Sequence, residues 1–213
     1  MKTTWQWIMG GVIAVQLLAA EAPLFQADFS NAEVGKAPAG FRVLDGGFAV
    51  REEGGNRFLE LPGAPLESYG ALFGPAQRDG VRVSARILGT AKGRRFPTFA
   101  IGLGGVSGYR LQVSPGKKEL ELWRGEERQA GVPFDWQSGR WTHLQLQARK
   151  VEDGRWKIEG RAWTEGAALP GGWLIALDVT DEPRNGQAGI FGSPFAGTPI
   201  AYDDLTVTPA AER

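Results

Sequence analysis

The chain has 213 residues, with 24 basic and 24 acidic side chains, one histidine and no cysteine. This charge balance argues against nucleic acid and anionic membranes as partners, because both are held by an excess of lysine and arginine. Without cysteine there is no disulfide framework and no lipid attached through a thiol, so a hydrophobic core must hold the fold together. About 190 mature residues are enough for one domain with such a core.

The first predicted element is a secretory signal peptide over residues 1–22. Lys2 precedes an apolar run over residues 8–20, and small residues follow that run. The run is shorter than the roughly 20 residues of a membrane span, so we expect cleavage, with the mature chain starting between residues 21 and 23. Residues 23–213 are then predicted to form a single secreted or periplasmic domain that has no membrane contact after cleavage.

Short strand-like runs and turns alternate through the rest of the chain. Gly, Asp, Asn and Pro gather at the turns, where they supply positive or preset φ angles. No window after the signal peptide shows helical periodicity over three turns. The predicted strands cover residues 81–88, 96–103, 109–114, 119–124, 141–151, 156–165, 173–180, 187–192 and 200–208. Strands at this spacing are typical of an all-β sandwich or barrel.

The clearest of these strands covers residues 141–151, where polar and apolar side chains alternate. Successive side chains of a strand point to opposite faces, so one set is predicted to face the core and the other the solvent. The apolar set is Thr142, Leu144, Leu146 and Ala148, and the polar set is Trp141, His143, Gln145, Gln147 and Arg149.

The turn at Asp153 and Gly154 predicts a hairpin between residues 141–151 and 156–165. A two-residue turn would place Arg161 opposite Leu146 and bury the arginine. A bulged three-residue loop avoids this, so we predict that loop. It pairs Leu144 with Thr164, Leu146 with Ala162, Ala148 with Gly160, Lys150 with Ile158, Gln145 with Trp163, Gln147 with Arg161 and Arg149 with Glu159.

The polar face of this hairpin is the predicted ligand-binding surface. Amide and guanidinium groups form directed hydrogen bonds to hydroxyl groups, and an indole offers an apolar plane for a sugar ring. The predicted binding residues are Trp141, His143, Gln145, Gln147, Arg161 and Trp163, to which neighbouring strands add Arg82, Ser84, Arg86, Arg110 and Gln112. The alternative is an ordinary sheet face in contact with solvent. If the hairpin has no bulge, Trp163 belongs to the core instead.

Four stretches resemble the concanavalin A-like lectin/glucanase superfamily, which includes laminin-G-like domains. They are ADFS with the following Gly and Pro residues over 27–40, GYRLQVSPGKKELELWR over 108–124, SGRWTHLQLQA over 138–148 and IAYDDLTV over 200–207. The resemblance implies a two-sheet antiparallel jelly-roll sandwich. It also implies an exported, non-catalytic carbohydrate-binding or surface-interaction domain with a glycan or polysaccharide as partner, although the fold alone does not determine activity.

A carbohydrate-active enzyme is the alternative function. A retaining glycosidase needs two carboxylates about 5 to 5.5 Å apart, and Glu119 and Glu121 are the nearest candidates on one strand face. Laminarinase-like members carry a further carboxylate where Trp123 and Arg124 stand here. We therefore expect both glutamates to be solvated and predict no catalytic residue. A glycoside hydrolase, including the 3-keto-disaccharide hydrolase type, stays open as an enzyme with an unrecognised site.

Calcium is the only cofactor that the sequence suggests. Sandwiches of this superfamily often pair their terminal strands, which would bring Asp28 close to Asp203 and Asp204. Carboxylates suit a hard cation such as Ca²⁺. The alternative is that Asp204 forms local hydrogen bonds while Asp28 is solvated.

Overall fold

The computed structural model describes residues 22–64, 67–195 and 197–210. The predicted signal peptide over residues 1–22 lies outside the described residues, apart from Ala22. None of the helical structure in these ranges is long and apolar enough to cross a membrane. Within them the chain forms antiparallel strands and one short 3-10 turn at Pro115–Lys117.

The strands follow one another along the chain with short connections. Their bounds are β1 Phe25–Ala27, β2 Phe41–Asp45, β3 Ala49–Glu53, β4 Asn56–Leu61, β5 Tyr69–Gln77, β6 Val81–Leu88, β7 Thr98–Leu103, β8 Tyr109–Ser114, β9 Glu119–Arg124, β10 Glu127–Pro133, β11 Trp141–Glu152, β12 Arg155–Thr164, β13 Ile175–Val179, β14 Gly186–Ser193 and β15 Ile200–Pro209.

Two antiparallel sheets form a sandwich, which confirms the predicted all-β fold. The eight-stranded sheet has the order β13-β12-β11-β6-β15-β4-β3, with β1 also paired to β15. The seven-stranded sheet has the order β10-β9-β8-β7-β14-β5-β2. Neighbours in the sheets are often far apart in sequence, so the outer face of each sheet combines residues from distant segments.

The inner faces of the two sheets pack together as the core. Every second residue of β6 from Val81 to Ile87 is buried, and Leu144 and Leu146 of β11 are fully buried. At Gly160 of β12 the sheets come so close that an added Cβ would lie 2.5 Å from a methyl group of Leu111. Because alternate residues point outwards, the polar residues of the same strands form the outer faces.

The β11–β12 hairpin has a different register from the predicted one. The observed pairs are Leu144 with Ala162, Leu146 with Gly160, Ala148 with Ile158, Lys150 with Trp156, His143 with Trp163, Gln145 with Arg161, Gln147 with Glu159 and Arg149 with Lys157. The predicted three-residue loop is wrong, because Glu152 pairs with Arg155 across a two-residue turn. A bulge at Val151, inside β11, keeps Arg161 out of the core instead. Since the register differs by two residues, each side chain keeps its predicted face and Trp163 points outwards.

Candidate functional site

The outer face of the eight-stranded sheet brings the six predicted binding residues together, and we call it the hairpin face. Trp141, His143, Gln145 and Gln147 come from β11, Arg161 and Trp163 from β12, and β6 adds Arg82, Ser84 and Arg86. The imidazole of His143 stacks on the indole of Trp163, with ring centroids 5.0 Å apart and planes 8° from parallel. Burial lowers the pKa of His143, an effect that Glu165 partly opposes.

Arg86 holds together one end of the hairpin face. Its guanidinium lies over the ring of Trp141, 4.6 Å from the ring centroid. It donates hydrogen bonds to the buried carboxylate of Asp203 at 2.7 Å and to Glu165 at 3.2 Å. Asp204 lies 2.9 Å from its Nε, an ion pair without hydrogen-bond geometry. Although burial lowers the pKa of Arg86, these carboxylates outweigh burial and leave the pKa raised.

The three aspartates that were expected to bind calcium do not fit a calcium site. The terminal strands do pair as predicted, with Ala27 opposite Leu205. Asp203, however, accepts hydrogen bonds from Arg86 and Asn56, and Asp28 accepts two from Ser30. The described part of the chain contains no group of three acidic, histidine or cysteine residues that could hold a metal ion. Arg86 is the cation that pairs with Asp203 and Asp204.

Most polar side chains at the other end of the hairpin face are bonded to one another. Arg161 donates from Nε to Gln145 at 2.9 Å. Gln147 accepts from Arg82 at 2.8 and 3.1 Å and donates to Glu159 at 2.6 Å. Gln147 therefore uses most of its hydrogen-bonding capacity within the protein, and Gln145 accepts one bond.

The outer face of the seven-stranded sheet carries two adjoining depressions of about 240 and 440 Å³. We call them together the groove. Arg110 and Gln112 of β8 lie here, so the prediction that they extend the hairpin face is wrong. The residues shared by both depressions are Ser68, Thr98, Arg110, Gln112, Glu126 and Ser193, while Phe191 lines one and Trp123 the other.

Arg110 is the groove residue that lies against two aromatic rings. Its guanidinium carbon lies 5.5 Å from the ring centroid of Phe191 and 5.9 Å from that of Trp123. Its Nε and the indole Nε1 of Trp123 are buried without a hydrogen-bond partner. Within residues 22–64, 67–195 and 197–210, no carboxylate lies at ion-pair distance from Arg110. Burial lowers its pKa, and the charge of Glu126 only partly opposes that effect.

Three glycines from three neighbouring strands leave room for the ring of Phe191 on the outer face of the sheet. A Cβ added to Gly70 of β5, Gly102 of β7 or Gly189 of β14 would lie 2.8 to 2.9 Å from an atom of the Phe191 ring. Any larger residue at these positions would therefore push the ring away from the sheet. The glycines keep the aromatic ring flat along the floor of the groove.

Glu121 lies on the same outer face and is fully buried, so the expectation of a solvated glutamate is wrong. Lys117 and Arg128 each donate to its Oε1 at 2.9 Å, and the Ser114 hydroxyl donates to its Oε2. Burial raises the pKa of Glu121, but these hydrogen bonds outweigh burial and leave the pKa lowered. Glu119 is bound by the same Arg128 at 2.8 Å. Both glutamates are therefore parts of an ion-pair cluster.

The sequence matches no protein-family model and none of the curated proteins. Among solved structures, carbohydrate-binding module CBM66 from Bacillus subtilis is 16% identical with a TM-score of 0.54, covering 79% of this chain and 95% of that one. The metal-free Emp46p carbohydrate recognition domain is 9% identical with a TM-score of 0.60, covering 89% and 98%. The catalytic domain of a glycoside hydrolase family 131 protein from Coprinopsis cinerea is 10% identical with a TM-score of 0.59, covering 90% and 96%.

The chain has the concanavalin A-like lectin/glucanase fold. Proteins with this fold include binding modules and catalytic domains, so function must be argued from the site. In this concanavalin A-like sandwich, the sequence indicated some residues of the groove but not others. Alternation along β8 pointed Arg110 and Gln112 to solvent, whereas nothing local to Phe191 or Trp123 indicated that the two rings flank Arg110.

Proposed function

We propose that this chain is an exported, non-catalytic carbohydrate-binding protein that holds its glycan in the groove. The observation that carries the proposal is Arg110, a guanidinium between the rings of Phe191 and Trp123 that has no hydrogen-bond or ion-pair partner among the described residues. The structural likeness to a carbohydrate-binding module and a carbohydrate recognition domain supports it. Export rests on the predicted signal peptide, and the mass of the secreted chain would show whether it starts between residues 21 and 23.

The groove offers the two kinds of contact that a sugar needs. The rings of Trp123 and Phe191 supply apolar surface for the C–H face of a pyranose. The terminal N–H groups of Arg110 and the paired hydroxyl groups of Ser68 and Ser193, 2.6 Å apart, supply directed hydrogen bonds. Since the groove also pairs acids with bases around Glu121, it suits a largely neutral polysaccharide.

The hairpin face is the competing location, with Trp141, His143, Gln145, Gln147, Arg161 and Trp163 as its proposed binding residues. The stacked rings of His143 and Trp163 favour it. Against it, Arg86 and both glutamines of this face already bond to protein groups. A sugar would have to replace those bonds, which gains little free energy.

Two tryptophans distinguish the locations, because Trp123 and Trp163 are both half-buried on an outer face. The variants Trp123→Ala and Trp163→Ala should be compared with the wild-type protein by affinity electrophoresis through a panel of soluble polysaccharides. We expect Trp123→Ala to weaken retention at least tenfold, since a stacking aromatic contributes about 1 to 3 kcal/mol in comparable contacts. Trp163→Ala should bind like the wild type. The opposite pattern would move the site to the hairpin face.

Glycoside hydrolysis is the second candidate function, because the fold is also similar to that of a glycoside hydrolase catalytic domain. Glu119 and Glu121 are the acids of β9 on the outer face that carries the groove, and both are bound to Arg128. A general acid needs a raised pKa, whereas the pKa of Glu121 is lowered. We therefore expect no release of reducing sugar from any polysaccharide that the protein binds. Release that disappears in Glu121→Gln would overturn the non-catalytic assignment.

A further inference from the structure

We propose that the hairpin face contains a second binding site, a pocket for an oxyanion formed by Arg82, Arg161 and Trp173. Its ligand is a carboxylate, sulfate or phosphate group. The pocket lies on the eight-stranded sheet, on the opposite side of the sandwich from the groove, so it does not depend on the proposed glycan site.

The connection between β12 and β13 encloses this pocket over the sheet. Its volume is about 190 Å³, enough for one oxyanion with some water. Arg161 donates from Nη1 to the carbonyl oxygen of Pro170 at 3.0 Å, and Leu174 N bonds to the Gly160 carbonyl oxygen at 3.0 Å. These bonds fix both ends of the segment 170–174. The lining residues are Arg82, Gln147, Arg149, Glu159, Arg161, Gly171, Gly172 and Trp173.

The positive charges of the pocket exceed the negative ones. Among its lining residues there are three arginines and one glutamate. Glu159 is paired with Arg149 at 3.0 Å. Although burial raises the pKa of Glu159, hydrogen bonds from Arg149 and Gln147 outweigh burial and leave the pKa lowered, so this carboxylate is ionised. One arginine is therefore neutralised, and Arg82 and Arg161 are left.

Among the described residues, only neutral oxygens accept hydrogen bonds from Arg82 and Arg161. Arg82 donates to the side-chain oxygen of Gln147. Arg161 donates to the side-chain oxygen of Gln145 and to the main-chain oxygen of Pro170. Each guanidinium has five N–H donors, and these bonds use two on each. The remaining donors have no carboxylate within ion-pair distance in the described ranges.

The two guanidinium groups lie beside the same indole ring, that of Trp173. Their carbons lie 5.5 Å (Arg82) and 4.6 Å (Arg161) from the ring centroid of Trp173. Burial lowers the pKa of both arginines. The charge of Arg161 lowers the pKa of Arg82 further, and the charge of Glu159 only partly opposes these effects. Both stay charged at neutral pH, because arginine loses its proton only above pH ~12. An oxyanion in the pocket that both arginines line would relieve this repulsion.

The geometry favours an oxyanion over a neutral sugar or a cation. A guanidinium presents two parallel N–H groups that match the oxygens of a carboxylate, sulfate or phosphate. A cation is repelled by the net charge. Unlike the single guanidinium of the groove, the two arginines of this pocket repel each other, and a neutral sugar would leave that repulsion in place.

The test measures anion binding to the mature protein by isothermal titration calorimetry, with inorganic sulfate, inorganic phosphate and glucuronate in separate titrations. All titrations use the same ionic strength, with chloride as the reference. We expect at least one of the three to bind and to raise the thermal midpoint above its value in chloride. Binding of sulfate or phosphate alone points to a free inorganic anion or ester, whereas binding of glucuronate alone points to an acidic sugar.

Three variants locate the binding. Arg82→Gln and the double variant Arg82→Gln/Arg161→Gln should weaken it at least tenfold, and Arg82→Lys should weaken it less, because it keeps the charge without the paired N–H groups. Arg78→Gln is the matched control, because Arg78 is exposed, pairs with Glu182 and lies outside both proposed sites, and it should bind like the wild type. Circular dichroism shows whether each variant is folded. The proposal is overturned if no anion binds more tightly than chloride, or if the double variant binds as the wild type does. Loss of glycan binding in Trp123→Ala leaves this result unaffected.

Discussion

The two outer faces of the sandwich each place an arginine over a tryptophan, in opposite surroundings. Arg86 covers Trp141 on the hairpin face and is surrounded by Asp203, Asp204 and Glu165. Arg110 lies near Trp123 in the groove and has no acidic partner within ion-pair distance among the described residues. An arginine beside a tryptophan thus stabilises the fold on the hairpin face, whereas in the groove it keeps N–H donors free for a ligand. The two arginines differ because other described segments of the chain place carboxylates beside Arg86 and not beside Arg110.

Matched substitutions of the two arginines give the largest expected contrast. Arg86→Met leaves Asp203, which is 1% exposed, without a cation, and we expect a loss of about 3 kcal/mol in the free energy of unfolding. Arg110→Met removes no ion pair and should change that free energy by no more than about 0.5 kcal/mol. Urea denaturation measures both. Equal losses would contradict the contrast between the faces.

The acidic cluster beside the groove should be structural. Glu121→Gln weakens the bonds from Lys117 and Arg128, and we expect a loss of about 2 kcal/mol in urea denaturation. Glu119→Gln is the control, because Glu119 is partly exposed and, among the described residues, is bound to Arg128 alone. Its loss should be smaller. A Glu121→Gln protein as stable as the wild type would mean that the cluster does not stabilise the fold.

Stability should fall in acid because of the same cluster and Glu159. The folded-state pKa of Glu121 and that of Glu159 both lie below the ordinary value of 4.5, despite burial, because of their hydrogen bonds. Such carboxylates add stability at pH above the unfolded-state pKa and lose it as the pH falls through the folded-state pKa. We expect the free energy of unfolding to decline below about pH 4.5, and less steeply in Glu121→Gln. An identical slope in the two proteins would rule out Glu121 as a source of the decline.

His143 provides the smallest effect and a specific probe of the hairpin face. It is the only histidine of the chain, so its proton resonance can be followed without ambiguity. Burial holds its pKa below the ordinary 6.5. Trp163→Ala exposes the imidazole and should raise the pKa towards 6.5, whereas Trp123→Ala should leave it unchanged. An NMR titration in which Trp163→Ala has no effect would argue against the stacking.

Strand positions followed from the sequence where burial alternates. The bounds predicted for β6, β8 and β9 agree with the structure, because apolar residues that face the core recur at every second position of each sequence, although Glu121 of β9 is buried as well. β10 was missed because it is an edge strand that pairs only with β9 and buries little. β5 was missed because two glycines and a proline interrupt its pattern.

The sites were harder to predict than the strands. Alternation assigned Trp163 and Arg161 to the outer face, and that assignment does not depend on a two-residue change of register. Alternation cannot assign a strand to a sheet, which is why Arg110 was placed on the hairpin face. It also cannot show that Asp203 meets Arg86, since 117 residues separate them. Partners of this kind depend on topology.

The most direct test of the central claim is to find which tryptophan indole responds to a bound glycan. Nitrogen-15 spectra of the mature protein resolve the indole N–H signals, and Trp123→Ala and Trp163→Ala assign the two that matter. During titration with a polysaccharide that the protein binds, we predict that the Trp123 signal shifts while the Trp163 signal stays in place. A shift of the Trp163 signal with the Trp123 signal unchanged would contradict the assignment of the groove as the glycan-binding site.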